Sequence, residues 1–220
     1  MRGVLIASML VSGAVSAADI AGVVSLTSQG RPLRAEEARE AVVYFRPAQP
    51  VVVRPAEEPV EMAMSRKQFQ PRALPITVGS TVRFPNFDPI LHNVFSPAGA
   101  NRFDLGLYGE GEGSSHAFSQ AGLVRVYCNV HQDMVGHILV LDTPYFTRPD
   151  GQGRFRLSIE GGQVEGELFV WHERAALRRQ RITGVTDEAI AVELELNRPR
   201  VPAHNNKFGR PYGREGRSRY

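Results

Sequence analysis

The segment YCNVHQDMVGHILVLDT, residues 127–143, joins two strand patterns through a short polar loop. The first pattern, LVRVYC, ends at Cys128, the only cysteine of the chain, and the second, GHILVLD, follows the loop. Both patterns are rich in β-branched and aliphatic residues, as strands are. In the loop between them, His131 and Met134 follow Cys128 at intervals of three residues. The segment therefore predicts two strands whose connection carries a thiol, an imidazole and a thioether.

The amino terminus predicts export. The chain opens MRGVLIASMLVSGAVSAADI, with Arg2 as a basic start, apolar or small residues at 3–16, and a small-residue pattern before Ala18. This pattern indicates a signal peptide cleaved near Ala17 or Ala18, and the periplasm as destination. The apolar stretch is too short for a membrane span, and no later segment of that length lacks charges. We therefore expect no membrane-spanning segment. One cysteine forms no internal disulfide, so in an oxidising compartment it is buried, paired with another chain or bound to something.

The donor types around Cys128 favour one metal. Upstream, His92 stands at the start of the strand pattern HNVFS. Thiolate and thioether sulfur stabilise Cu(I), imidazoles accept both oxidation states, and a His2Cys set with a long axial Met defines an electron-transfer copper site. A metal-bound thiolate would also be protected from the oxidation expected of a free one.

Residues 60–143 resemble a cupredoxin, of the amicyanin and plastocyanin-like type that often carries methylamine-utilization names. The spacing C-x2-H-x2-M matches the short amicyanin loop, VGSTVRFPNFDPILHNVFS resembles the stretch around the family's first histidine, and M-x-G-x-I-x-V runs from Met134 to Val140. The resemblance implies a Greek-key β-sandwich that binds one copper ion, Cu(I) or Cu(II). It implies His92, Cys128, His131 and Met134 as the ligands. It also suggests that Asn93 braces the ligand loop by hydrogen bonds.

The flanks contain further strand patterns, and 15 prolines with 21 glycines favour many turns over long helices. IAGVVSL and AVVYF, with TRPDGQGRFRLSIEGGQVEGELFVWHE, resemble a carboxypeptidase regulatory-like β-sandwich. We therefore predict an all-β chain. Its predicted parts are a signal peptide (1–18), a discontinuous sandwich (19–47 with 144–197), a proline-rich linker (48–59), a cupredoxin domain (60–143) and a disordered basic tail (198–220). In the alternative, the flanking strands enlarge one sandwich.

The sequence is compatible with two functions. The first is a periplasmic type 1 (blue) copper protein that carries single electrons between redox proteins, such as a c-type cytochrome or a dehydrogenase. The second is a copper chaperone, sensor or scaffold. An enzyme is not expected, because the sequence has no H-x-H pair for a second copper cluster, one cysteine cannot bridge a dinuclear centre, and neither G-x-S-x-G nor H-E-x-x-H occurs.

Charge is concentrated at the carboxyl end. The net charge is +3, and residues 198–220 hold seven Arg or Lys against one acid, Glu215. Such a tail solubilises the chain or docks on an acidic partner. Nucleic acid is not expected as a partner outside the cytoplasm.

Several other residues allow two interpretations. His137 either competes as a ligand or caps the next strand. Met62 and Met64 share a strand face and favour packing over Cu(I) binding. Glu110 and Glu112 are expected in a solvated loop. Ordinary roles in packing or at the surface are expected for the remaining members of the set, which are His116, His172, His204 and Trp171. Asp133 places a negative charge beside the expected edge of His131.

Overall fold

A computed structural model describes residues 17–97, 99–161, 164–184 and 188–212. Most of the predicted signal peptide, residues 1–16, lies outside these ranges, and the first strand begins at Ala17. Within the described ranges, no helix has both the length and the apolar character needed to cross a bilayer.

The prediction of an all-β protein is confirmed, since strands follow one another along the chain. The first flank contains β1 (Ala17–Ser28), β2 (Arg31–Pro32), a 3₁₀ helix (Ala35–Glu40) and β3 (Val42–Pro47). The middle contains β4 (Val60–Glu61), β5 (Ala63–Ser65), β6 (Gln68–Gln70), β7 (Ala73–Thr77), β8 (Thr81–Asn86), β9 (His92–Ser96), β10 (Phe103–Tyr108), β11 (Gly111–Ala117), β12 (Gly122–Tyr127) and β13 (Val135–Leu141). The second flank contains β14 (Phe146–Thr147), β15 (Arg154–Glu160), β16 (Glu165–Trp171), β17 (Arg178–Thr183) and β18 (Ile190–Glu195).

Two sheets take all their strands from the middle of the chain. One has the order β10-β9-β12-β13-β7, and the other has β11-β8-β5-β6 with β4 beside β8. Their inner faces bury a shared core that includes Phe84, Val94 and Ile138, and Cys128 and Met134 belong to the same core. The result is a cupredoxin-like Greek-key β-sandwich with the segment 128–134 at one end of it.

The other two sheets combine strands from both flanks. In one, β1 pairs antiparallel with β15 and parallel with β18. The second has the order β14-β3-β16-β17. Their inner faces enclose a second core, with Val24, Phe45 and Leu168 among its members. The chain therefore leaves this pair of sheets after β3, builds the middle sandwich, and returns at β14.

The two sandwiches pack face to face, so that four sheets are stacked. Strands β13 and β16 are almost entirely buried, because successive side chains point to opposite faces and both faces are covered. In β13, Ile138 faces the middle core, while Leu139 faces outward into a third cluster. That cluster is completed from the flank sheet by Phe169 and Trp171. Trp171 therefore packs between the sandwiches.

The predicted proline-rich linker and the described part of the predicted basic tail both lie against the middle sandwich. Residues 48–59, all of them described, form no strand. They are nevertheless tethered, because the Thr77 hydroxyl donates to the carbonyl of Arg54 and the amide of Ala56 donates to the Ser80 hydroxyl. Residues 198–212 of the predicted tail also contact the sandwich, through hydrogen bonds to Arg72, Cys128 and Asn129. Residues 213–220 lie outside the described ranges.

Candidate metal centre

Three predicted ligands converge at the end of the middle sandwich. The Sγ atom of Cys128 lies 3.7 Å from Nδ1 of His92 and 3.7 Å from Nδ1 of His131. The two Nδ1 atoms are 3.1 Å apart. His92 is supplied by the start of β9, whereas Cys128 and His131 follow β12. In the described part of the chain, these side chains form the one group of three or more His, Cys, Asp or Glu residues close enough to share a metal ion.

The Cys128 sulfur is buried and lies among backbone donors. The side chain is 0 % exposed, and burial raises the pKa of the thiol. The amide N–H groups of Asn93, Val130 and His131 donate to the sulfur and partly oppose that rise in pKa. Such donors stabilise a thiolate in a site from which water is excluded. Because the net shift of the pKa is upward, the sulfur is a thiol without a metal, and it would lose its proton when a cation compensates the charge of the thiolate.

The loop after Cys128 is closed by its own backbone. The amide of Met134 donates to the carbonyl of His131 over 3.1 Å, and the amide of Cys128 donates to the carbonyl of Met134 over 3.3 Å. Met134 is 0 % exposed. These bonds hold the three loop residues in a fixed backbone frame. His131 is half-buried, and burial, with the charges of His92 and Lys67, lowers its pKa to about 4, so its imidazole is neutral at pH 7.

An acid that the sequence analysis did not single out fixes the orientation of His92. The Oδ2 atom of Asp88 lies 2.8 Å from Nε2 of the buried His92. The backbone amides of Arg66 and Lys67 donate to the same carboxylate. Burial opposes ionisation of Asp88, but these amides and His92 together hold its pKa below the usual range. A carboxylate on one ring nitrogen keeps the proton there, which leaves Nδ1 of His92 as the metal-binding atom.

Asn93 contacts the ligand loop through its backbone, while its side chain binds a neighbouring strand. Its side-chain amide donates to Oδ1 of Asp104 and to the carbonyl of Gly106, each over 2.7 Å, and therefore binds β10 rather than the ligand loop. The bulge in β10 makes this contact possible, because Gly106 adopts a φ of 75°. The group of Asn93 that reaches the loop is its backbone N–H, which donates to the Cys128 sulfur.

Replacement of Asp88 by asparagine should weaken metal binding. We expect the affinity for Cu(I) to fall about 10- to 100-fold, because the charged acceptor that orients His92 is lost. Competition against bicinchoninate measures this affinity. Asp142→Asn is the matched control, because Asp142 pairs with Arg46 on the surface. An affinity within twofold of the unmodified protein would show that Asp88 has no such role.

The remaining candidate residues lie elsewhere. His137 is inside β13, packs against Trp171 with ring centroids 5.3 Å apart, and belongs to the boundary between the sandwiches. Burial, with the charge of Arg72, lowers its pKa to about 3. Met62 and Met64 are 0 % exposed members of the core. Glu112 pairs with Arg83 at the surface. His116 stacks on Phe103, with centroids 4.4 Å apart.

The site fits one copper ion. A thiolate and two imidazoles converge within a few ångströms, and the buried thioether residue Met134 belongs to the same short loop. Soft sulfur with imidazole is the combination that copper prefers, whereas magnesium and calcium require oxygen ligands. The three amides at Cys128 and the carboxylate at His92 provide the supporting shell that metal ligands usually have.

Comparison with known proteins gives structural likenesses. The chain is similar to a purple cupredoxin from Nitrosopumilus maritimus at 24 % identity, covering 37 % of this chain and 99 % of that one, with a TM-score of 0.34. It is similar to a copper-containing nitrite reductase from Thermus scotoductus at 32 % identity, covering 43 % of this chain but only 25 % of that one, with a TM-score of 0.37. A reduced variant of amicyanin is 22 % identical, over 46 % of this chain and 99 % of that one, also at 0.37.

Each of these likenesses covers less than half of this chain. At these TM-scores they carry no argument about its activity. No protein-family model matches the chain, and no curated protein matches it. The strand order of the middle sandwich and the donor atoms of His92, Cys128 and His131 are what define a copper-binding site in a cupredoxin-like fold.

Proposed function

We propose that this protein is a type 1 copper protein that carries single electrons between redox partners. The observation that supports this most directly is the convergence of Cys128 Sγ with the Nδ1 atoms of His92 and His131 inside a folded core. Copper bound there would supply one-electron chemistry by alternating between Cu(I) and Cu(II). We infer Met134 as the axial ligand.

The residues around the ligands favour a site that changes little during electron transfer. His92 is fixed by Asp88, and Cys128 by three backbone amides. These contacts are made by the protein alone and do not depend on the charge of a bound ion. A preorganised ligand set of this kind avoids the cost of rearrangement when the oxidation state changes.

The surface beside the ligands suits transient docking. Phe87 and Leu91 are 59 % and 53 % exposed, and they immediately precede Asp88 and His92 in the chain. Val130, which precedes His131, is 38 % exposed. Exposed apolar side chains near a redox site offer a partner surface that is released easily if the contact area is small. We propose that a redox partner approaches His131 across this surface.

The setting that we propose is the periplasm. The signal-peptide pattern in residues 1–18 supports export. Candidate partners are a c-type cytochrome or a dehydrogenase, and methylamine utilization is the pathway that the sequence resemblance suggests. The basic residues of 198–220 favour an acidic partner. Because the described residues contain a single group of potential metal ligands, we propose a carrier rather than an enzyme.

We also propose that the two sandwiches are separate domains. The middle one would be the cupredoxin domain (60–143), and the flank sheets the carboxypeptidase regulatory-like domain (19–47 with 144–197). In support, each pair of sheets has its own apolar core.

The alternative is a copper chaperone, sensor or scaffold. One observation favours it: His131 is the most exposed of the three convergent ligands, and an exposed ligand is the one that an incoming protein could replace during metal transfer. A carrier retains its ion and exchanges electrons, whereas a chaperone releases the ion to a receiving protein.

Copper reconstitution of the mature protein distinguishes the two functions. For the carrier, we expect stoichiometric binding, an intense thiolate-to-copper absorption, narrow hyperfine splitting in the EPR spectrum of the Cu(II) form, and rapid oxidation of the Cu(I) form by a soluble c-type cytochrome. Colourless binding of Cu(I) alone, with transfer to a chelating protein, would favour the chaperone. As a control, His116→Asn should leave copper binding and both spectra unchanged, because His116 stacks on Phe103 and is not one of the convergent side chains.

A further inference from the structure

We propose that residues 198–212, hereafter the strap, position the loop 128–134 that bears three of the inferred copper ligands. The inference deepens the proposed function, on which its significance rests, but the contacts that carry it do not involve the metal. The strap crosses the end of the middle sandwich and makes direct hydrogen bonds to two consecutive loop residues, Cys128 and Asn129.

The first half of the strap is anchored by burial and by a buried arginine. Arg72 donates from Nη2 to the carbonyl of Arg200 over 2.5 Å. Val201 packs against a small apolar cluster that includes Phe95 and Tyr127. Pro199 and Pro202 restrict the backbone on either side of this contact, which lowers the entropy lost when the strap is ordered.

An aromatic stack continues the attachment. The ring of His204 lies on Tyr127, with centroids 4.3 Å apart and an interplanar angle of 21°. The ring of Tyr212 lies edge-on to the ring of His204, with centroids 5.2 Å apart. The Nδ1 atom of His204 is 2.8 Å from the carbonyl of Pro202, which fixes the orientation of the ring. Tyr127 is the residue immediately before Cys128, so the stack lies directly beside the ligand loop.

A compact turn brings the strap back toward the loop. The side chain of Asn206 accepts hydrogen bonds from the amides of Phe208 and Arg210, and the backbone of Asn206 bonds to Gly209 and Arg210. Gly209 has a φ of 75°, a conformation that glycine adopts without strain. The turn is therefore defined by its own residues, and it places Lys207 and Tyr212 on the same side.

Two hydrogen bonds from the strap end on the loop backbone and side chain. The hydroxyl of Tyr212 donates to the carbonyl of Cys128 over 3.0 Å. The amide of Lys207 donates to Oδ1 of Asn129 over 2.9 Å. Because Cys128 carries the sulfur ligand, a restraint on its carbonyl also restrains the direction of its side chain.

A third contact links the strap indirectly to the sulfur of Cys128. The ammonium group of Lys207 lies 2.8 Å from Oδ2 of Asp104. The other oxygen of Asp104 accepts from the side chain of Asn93, whose backbone amide donates to the Cys128 sulfur. Lys207 is therefore a positioning residue that acts on the site through Asp104 and Asn93, while Tyr212 acts through the backbone of Cys128.

Because Cys128 is the only cysteine, its alkylation in the metal-free protein reports on the strap. We expect Tyr212→Phe to accelerate the reaction of Cys128 with iodoacetamide about threefold to tenfold at constant pH, since one hydrogen bond that opposes opening of the loop is lost. Lys207→Met should have a similar effect, and Lys207→Arg should restore the slow rate by preserving the charge. Tyr145→Phe makes the same chemical change in the flank sandwich and should leave the rate unchanged.

Equal alkylation rates in the unmodified protein, Tyr212→Phe and Lys207→Met would overturn the proposal. The result is independent of the proposed function, because no metal is present. A second measurement uses copper-loaded protein and follows the transfer of Cu(I) to bathocuproine disulfonate. Transfer that is at least about threefold faster in Tyr212→Phe supports the strap. A failure of the unmodified protein to bind copper would contradict the proposed function alone.

Discussion

Cys128→Ser is expected to abolish the thiolate-to-copper absorption and to lower the affinity for Cu(I) by at least about a hundredfold. Loss of a supporting residue alone typically weakens a metal site 10- to 100-fold, and Cys128 supplies the sulfur on which both histidines converge. A hundredfold loss corresponds to about 2.7 kcal/mol. Visible absorption and competition with a Cu(I) chelator measure the two effects.

The substitution also tests whether metal binding requires the sulfur atom of Cys128 or only a side chain of that shape. A serine oxygen can still accept hydrogen bonds from the backbone amides of Asn93, Val130 and His131, which donate to the sulfur in the unmodified protein. The metal-free variant should therefore fold, and thermal unfolding followed by circular dichroism checks this. Cys128→Ala, which removes the acceptor, provides a second variant with a similar volume but no hydrogen bonding.

The opposite outcome would change the assignment of the site. If Cys128→Ser retained copper with unchanged affinity, the sulfur would not be a ligand, and the two histidines with an oxygen ligand would have to bind the ion. Strong Cu(II) binding by imidazole without the charge-transfer absorption would then exclude a type 1 site.

The second large effect is expected at the boundary between the sandwiches. Arg72→Met should lower the free energy of unfolding by about 3–5 kcal/mol, because it leaves the carboxylate of Glu173 buried without a charged partner. The side chains of Arg72 and Glu173 are only 8 % and 11 % exposed. Urea denaturation at pH 7 measures the change, and the slope of the transition shows whether the two sandwiches still unfold together.

The geometry explains the size of this effect. The Nε atom of Arg72 lies 2.8 Å and 2.7 Å from the two oxygens of Glu173, and its Nη2 donates to Arg200 of the strap. One guanidinium therefore joins the middle sandwich, the flank sheet that contains β16, whose last residue Trp171 lies just before Glu173, and the carboxyl-terminal strap. His137 is also close, with Nδ1 3.4 Å from Glu173.

A double variant measures how much of the lost stability comes from the unpaired charge of Glu173 and how much from the loss of other contacts of Arg72. Arg72→Met combined with Glu173→Gln removes both charges and should recover part of the lost stability, because the uncompensated carboxylate is no longer present. Arg83→Met is the control, because it makes the same substitution at a surface arginine whose ion pairs with Glu61 and Glu112 are exposed. Its expected cost is about 0–1 kcal/mol. A cost this small for Arg72→Met would show that the boundary is not held by this pair.

Much of the fold could be predicted from local patterns. The strand patterns around HNVFS, LVRVYC and GHILVLD correspond to β9, β12 and β13. Alternation of side chains in a strand is a property of neighbouring residues, so it is visible in the sequence. The continuous burial of β13 was not predictable in the same way, since it depends on the sheet that covers its outer face.

The sequence by itself also determined which donors one loop could offer. Cys128, His131 and Met134 are close in the chain, and their chemistry favours copper whatever the rest of the fold does. Its residue type made His92 a possible fourth donor, but its role as a ligand followed from the resemblance to a family, because 36 residues separate it from Cys128.

Only the tertiary structure decided how the site is supported. Asp88 is only four residues from His92, but its carboxylate is held in place by the amides of Arg66 and Lys67, which are 22 and 21 residues away from it. The hydroxyl of Tyr212 in the strap reaches the carbonyl of Cys128 from 84 residues away. Side chains that are exposed in an unfolded chain carry no local signal of such distant partners. The physical reason is that these hydrogen bonds become favourable only after packing of the sheets has removed water and fixed the groups that share them.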